Sequence, residues 1–151
     1  MQAYPHQFDC AWLAMDSVGK LGVFITAGSG PIPEMVLKND VPVLEIETAL
    51  LKLPCVCSAV LTTTVPRPDS YIELAERGLF VFDWRNAHRT ITQEKSGYDL
   101  VALPTQPIKA DNMSPNLNGI ADGITFDRLS FGQEKMVDVQ SVMPCCFSPA
   151  T

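Results

Sequence analysis

The sequence predicts an α+β fold: one domain over residues 1–151, a mainly antiparallel sheet, and two or three helices on one face. Three observations lead there. The first readable pairing is a hairpin, strand and helix patterns alternate along the chain, and no linker has the length or composition to divide it. A chain of 151 residues is also long enough to bury a sizeable core.

The hairpin spans residues 10–26. Cys10 to Met15 is an apolar run of strand length, Asp16-Ser17-Val18-Gly19 is a turn signal, and Leu21 to Thr26 returns as a β-rich strand. Gly19 falls where the turn demands positive φ, a conformation that side chains with a Cβ resist. In Ala27-Gly28-Ser29-Gly30-Pro31-Ile32-Pro33 the glycines weaken a ladder and the prolines lack donors, so a stiff loop is expected.

Pro33-Glu34 opens a short helix through Leu37, with proline in the first turn and the acid at the positive end of the dipole. A second helix is expected from Val43 to Leu53, where Val43, Leu44, Ile46, Leu50 and Leu51 recur at helical spacing before Pro54. Cys55 to Val65, rich in Val and Thr, reads as a buried or half-buried strand ended by Pro66-Arg67-Pro68. Asp69 or Ser70 then caps a helix over Tyr71–Arg77 that Gly78 terminates.

Leu79 to Phe82 is a short apolar strand leading to Asp83-Trp84, and a polar excursion follows from Arg85 to Gly97. Tyr98 to Leu103 alternates as a strand and stops at Pro104. Further on, Ser114 and Pro115 suit the cap and first position of a helix to Ala121, and Ile124-Thr125-Phe126 with Leu129 to Phe131 supplies a last strand. Residues 143–151 show no periodicity, and poor order is expected from about residue 135 onward.

Composition narrows the function classes. With 46% hydrophobic and 19% charged residues, the chain does not read as disordered. Seventeen acids against eleven bases give a net charge of −6, which argues against a nucleic-acid binder with its basic stripe. The same charge suits a basic protein partner, although mild acidity also serves solubility alone. The acidity is uneven: residues 1–50 hold six acids and two bases, whereas residues 51–96 hold five acids and six bases.

Five cysteines, an odd number with a vicinal pair, argue against an extracellular disulfide framework. The opening Met1-Gln2-Ala3-Tyr4-Pro5-His6 has neither a basic n-region nor an apolar h-region, so no secretory leader is expected. No stretch reaches the roughly 18 apolar residues of a membrane span. A cytoplasmic protein without membrane attachment is the expectation.

No motif names a reaction. Gly28-Ser29-Gly30 lacks the Lys-Ser/Thr of a phosphate loop, the third glycine of a dinucleotide fingerprint, and the flanking positions of a nucleophile elbow. A tight turn from sheet to helix explains it better, and a rigid contact surface for another protein is the alternative. Cys10, Cys55 and Cys57 sit in apolar runs, where cysteine usually packs as a small hydrophobe, so pairing with His6 or His88 as nucleophile and base is disfavoured. Cys55-x-Cys57 and Cys145-Cys146 lack zinc-knuckle spacing. Glu45 and Glu47, two apart on a helix, diverge. No catalytic residue, metal site or cofactor is therefore assigned.

Recognition residues are easier to nominate. Asp69, Glu73 and Glu76 recur at spacings of four and three on one face of their helix. A solvated face explains such a pattern most simply, and recognition of Lys or Arg on a partner is the sharper reading. Trp84 beside Asp83 either caps the core or, if partly exposed, forms an anchor for a basic surface. The candidate partner-binding set is Asp69, Glu73, Glu76, Asp83 and Trp84.

Two stretches carry a family resemblance: Trp12-Leu13-Ala14-x-Asp16-x-x-Gly19-x-Leu21-Gly22-Val23-Phe24-x-Thr26-Ala27-Gly28-x-Gly30-Pro31-Ile32-Pro33, and Arg77-Gly78-Leu79-Phe80-Val81-Phe82-Asp83-Trp84. Together they resemble small bacterial immunity proteins that accompany polymorphic or contact-dependent toxins. The resemblance implies a non-enzymatic, single-domain cytosolic protein that binds its cognate toxin domain and blocks the active site. Acidic charge suits a toxin that must itself grip nucleic acid. The alternatives are a small enzyme with an unrecognised Cys/His or carboxylate site, and a scaffold or oligomer-forming domain.

Overall fold

A computed structural model describes residues 1–84, 97–112, 124–139 and, as backbone, 146–147. The helix expected over 115–121, His88 and most of the 85–97 excursion lie outside the described residues. The hairpin forms as the turn chemistry dictates. β1 (Ala11–Asp16) pairs antiparallel with β2 (Leu21–Ile25), and Gly19 turns at φ 89°. The chain continues through β3 (Ile32–Pro33), α1 (Glu34–Lys38), α2 (Val43–Leu50), β4 (Ala59–Leu61), α3 (Asp69–Glu76), β5 (Phe80–Asp83) and β6 (Tyr98–Pro104). A 3-10 turn (Ala110–Asn112) and the two-residue strands β7 (Thr125–Phe126), β8 (Met136–Val137) and β9 (Cys146–Phe147) follow.

The main sheet runs β4-β6-β5-β2-β1-β7, with β8 also on β6. The α+β class holds, and most pairings are antiparallel. The sheet is nevertheless mixed, because β2–β5 and β1–β7 run parallel. The long crossover through α1, α2, β4 and α3 returns the chain beside β2 in the same direction, which a hairpin connection cannot do.

Several elements depart from the sequence reading. α2 stops at Leu50 rather than Leu53: past it the chain tightens into i→i+3 turns, the Lys52 amide on the Ala49 carbonyl and the Leu53 amide on the Leu50 carbonyl, before Pro54. The strand expected over 55–65 shrinks to Ala59–Leu61, an edge strand paired, among the described residues, only with β6, and Val60 and Leu61 are exposed. α3 starts two residues early, with Pro68 at its N-cap and no side-chain cap; Asp69 acts in the first turn instead. Gly78 ends it at φ 88°, as expected. Ile32 and Pro33, expected in a loop, pair with Phe147 and Cys146 in a separate two-stranded ladder. A two-residue ladder tolerates a proline that a central strand could not. Beyond residue 135, β8 and β9 are ordered into sheets.

The register places Trp12 beside Phe24 and Phe24 beside Phe82, so three rings lie in a row across β1, β2 and β5. Trp12 and Phe24 stack at 4.3 Å, and Phe24 and Phe82 at 4.8 Å. Phe131 packs over Phe24 and Phe82, and Tyr98 and Phe126 meet the row edge-on. Gly22 leaves room for this lid: a Cβ there would sit 2.8 Å from the Phe131 ring.

The opposite face carries Leu13, Val23, Val81 and Asp83 under α2 and α3. Their C-terminal ends are tied together just past each helix, where the Arg77 Nε–H donates to the Leu51 carbonyl at 3.1 Å. No helix among the described residues is long and apolar enough to cross a membrane.

Candidate functional site

The glycine- and proline-rich loop is built into the frame. Thr26 organises it, its carbonyl accepting from the Ser29 and Gly30 amides and its hydroxyl from those of Cys10 and Gly28. The Tyr4 hydroxyl donates to the Gly30 carbonyl at 2.7 Å and the Tyr98 hydroxyl to the Pro31 carbonyl at 2.8 Å. Gly30 through Pro33 are buried, and only Ala27 to Ser29 face outward. Of the two readings left open by the sequence, this wiring favours the structural turn. A Cβ on Gly30 would overlap the Tyr98 hydroxyl and lie 3.0 Å from the Trp84 Cβ. Gly30→Ala is accordingly expected to destabilise the fold by about 1–3 kcal/mol, with denaturant unfolding as the check.

The cysteine and histidine candidates do not assemble. Cys10 is buried against Thr26, and burial pushes its thiol pKa up, away from the thiolate a nucleophile needs. His6 is exposed and lies against Tyr4, with ring centroids 5.2 Å apart. Cys55 is exposed, contrary to the buried strand expected there, and Cys57 directs its thiol at the Ala75 carbonyl. Among the described residues, no group of three or more His, Cys, Asp or Glu is placed to hold a metal ion.

The acidic residues form a coherent surface. Asp69 and Glu73 are exposed along α3, and Glu76 is half-buried one turn further on. Its neighbour Arg77 spends its guanidinium on carbonyls, those of Leu51 and Glu73, rather than on the carboxylates. Glu47 of α2 joins this surface from across the helix pair. Its pKa is raised above the ordinary carboxylate value, first by burial and then by the negative charges of Asp9 and Glu73. Asp9 anchors the near end, accepting from the Ala27 amide at 3.0 Å. Asp9, Glu47 and Glu73 were not legible together, because their proximity depends on how α2 and α3 pack.

Asp83 and Trp84 sit elsewhere. Asp83 is only 1% exposed, beneath α3, and its Oδ2 accepts from the Tyr71 hydroxyl at 3.1 Å. This corrects the expectation that Asp83 meets a partner with Asp69 and Glu73. The usable signal was strand alternation: Asp83 shares a face with fully buried Val81. Trp84 is half-buried, its ring 5.1 Å from Tyr98, and caps the edge of the core. Comparison of the chain with family models, curated proteins and solved structures finds no match.

Proposed function

We propose that this chain is an immunity-type protein, which binds a cognate toxin domain with a basic, nuclease-like surface and neutralises it by covering its active site. The observation that carries the reading is the half-buried Glu47 of α2, whose carboxyl pKa is raised first by burial and then by the negative charges of Asp9 and of Glu73 on α3. Gathering like charges opposes folding, so a use outside the fold accounts for their retention. A toxin that grips nucleic acid must present Lys and Arg, and a preassembled acidic face attracts those charges and speeds encounter. The resemblance of the Trp12–Pro33 and Arg77–Trp84 stretches to immunity proteins and the net charge of −6 support the same reading. Blocking needs no bond-making chemistry on this chain.

The test couples stability to binding. A raised folded-state pKa means the unfolded chain ionises more readily, so stability at Glu47 falls as pH rises from the unfolded pKa through the folded one. Glu47→Gln is therefore expected to unfold at a higher temperature than the parent near pH 7. The advantage disappears at about pH 3, where both states are protonated. The double reversal Glu47→Lys with Glu73→Lys is expected to slow association with a cognate basic toxin domain roughly tenfold or more at low salt. It should also flatten the salt dependence. Equal association rates and equal salt slopes for parent and double variant would remove this face from recognition.

A further inference from the structure

β4 is the terminal strand of the main sheet, and among the described residues β6 is its only ladder partner. Antiparallel ladders bond through alternate residues, and the flanking contacts fix the phase here. The Thr105 amide donates to the Ser58 carbonyl at 2.9 Å, and the Thr62 amide to the Val101 carbonyl at 3.0 Å. Ser58, Val60 and Thr62 therefore turn their backbone groups toward β6. The amides and carbonyls of Ala59 and Leu61 point the other way, along the open edge of the sheet.

This edge lacks the usual guards. Natural sheets protect a terminal strand with lysine, proline, a bulge or brevity. β4 is short, but it carries no lysine or proline and its register with β6 is unbroken. Val60 and Leu61 are 45% and 38% exposed. Residues 53–66 contain no charged residue, the longest such run in the chain.

Those features select the occupant. Two copies of a chain with net charge −6 repel each other, so close approach costs least at an uncharged segment. β4 is also self-complementary. With a two-fold axis at Val60, Ala59 of one copy faces Leu61 of the other, and each such pair exchanges both of its main-chain hydrogen bonds. The donors and acceptors are those that point along the open edge. Val60 meets its own counterpart in a non-bonded pair, where facing side chains come closest.

We infer that two copies of this chain pair antiparallel through β4, joining their sheets into one across a two-fold axis at Val60. The pairing does not rest on the toxin reading. The axis stands perpendicular to the sheet, so both copies keep α3, which packs on β4, on the same face. Exposed Asp69 and Glu73 then approach their counterparts, and added salt strengthens the dimer by screening them. Binding of a basic partner to the acidic helix face responds to salt in the opposite sense.

Sedimentation equilibrium of the full chain from about 10 µM to about 1 mM tests the pairing. A monomer–dimer equilibrium is expected, with Kd on the order of 0.1 mM, because three-residue strands bury less than a standard interface. Raising salt from about 50 mM to about 500 mM should tighten it severalfold. Across the same concentrations, hydrogen exchange at the Ala59 and Leu61 amides is expected to slow, while the Val60 amide, already bonded to β6, responds less. Val60→Lys sets two ammonium groups against each other and should weaken the dimer roughly tenfold or more. If that variant fails to fold, exchange at Ala59 and Leu61 in the parent decides alone. A chain that stays monomeric at about 1 mM leaves the edge to a different occupant and overturns the pairing. Exchange at Ala59 and Leu61 that ignores concentration, or a dimer untouched by Val60→Lys, overturns it equally.

Discussion

Trp12→Ala is expected to lower stability by about 3–5 kcal/mol, a large part of what a domain of this size possesses. Trp12 is fully buried and begins the ring row that ties β1 to β2 and β5. Its removal leaves Phe24 with one bare face and opens a void that the flanking strands are too constrained to close. It also deletes the donor that the indole Nε1 directs to the Tyr98 hydroxyl at 3.3 Å. Tyr98 keeps its own bond to Pro31, so the polar loss is secondary and the cavity dominates. Urea unfolding decides the matter. A loss under about 1 kcal/mol would mean that the row is not the centre of the core.

Asp16→Ala is expected to cost roughly 3 kcal/mol or more for a different reason. Asp16 is 1% exposed, and its carboxylate accepts three backbone amides: Val18 at 3.0 Å and Lys20 at 2.9 Å on Oδ1, and Phe131 at 2.8 Å on Oδ2. The first two shape the hairpin turn. The third fastens the Phe131 lid to the end of β1, across more than a hundred residues of chain. Removing the carboxylate strands three donors, one of them buried, and charged acceptors hold such donors about twice as strongly as neutral ones. Asp16→Asn keeps the shape and one oxygen, so an intermediate loss is expected. Hydrogen exchange at Phe131 should accelerate in both variants before the rest of the chain responds. Protection at Phe131 equal to the parent would show that the lid is held by its ring contacts alone.

These two residues mark what local pattern could and could not reveal. Asp16 was readable as a turn residue because its contacts to Val18 and Lys20 are local, whereas its bond to Phe131 depends on the tertiary fold. Gly19 and Gly78 were readable because a positive φ is a property of one residue. The parallel pairing of β2 with β5 was not, since it requires knowing where a long crossover returns. β3 escaped notice for the opposite reason: a two-residue run in a proline-rich stretch shows no periodicity, and its ladder partner β9 lies more than a hundred residues away.

The candidate site divides the same way. Asp69 and Glu73 were nominated because helical spacing places them on one face, and both are exposed. Glu76 shares the spacing and ends half-buried, where its backbone carbonyl receives the Val56 and Cys57 amides. Glu47 was set aside as diverging from Glu45, a sound inference within one helix that said nothing about the next. Its true neighbours, Asp9 and Glu73, come from the N-terminal segment and from α3.

The central claim is that the chain neutralises a toxin domain by occupying it. The direct measurement is nuclease activity of a purified candidate toxin domain, taken from the reading frame next to this chain's own, titrated with the purified chain. The account predicts that activity falls linearly to background at one equivalent, and that the Glu47→Lys with Glu73→Lys variant needs a clear excess. Full nuclease activity in the presence of several equivalents of the parent chain would contradict it.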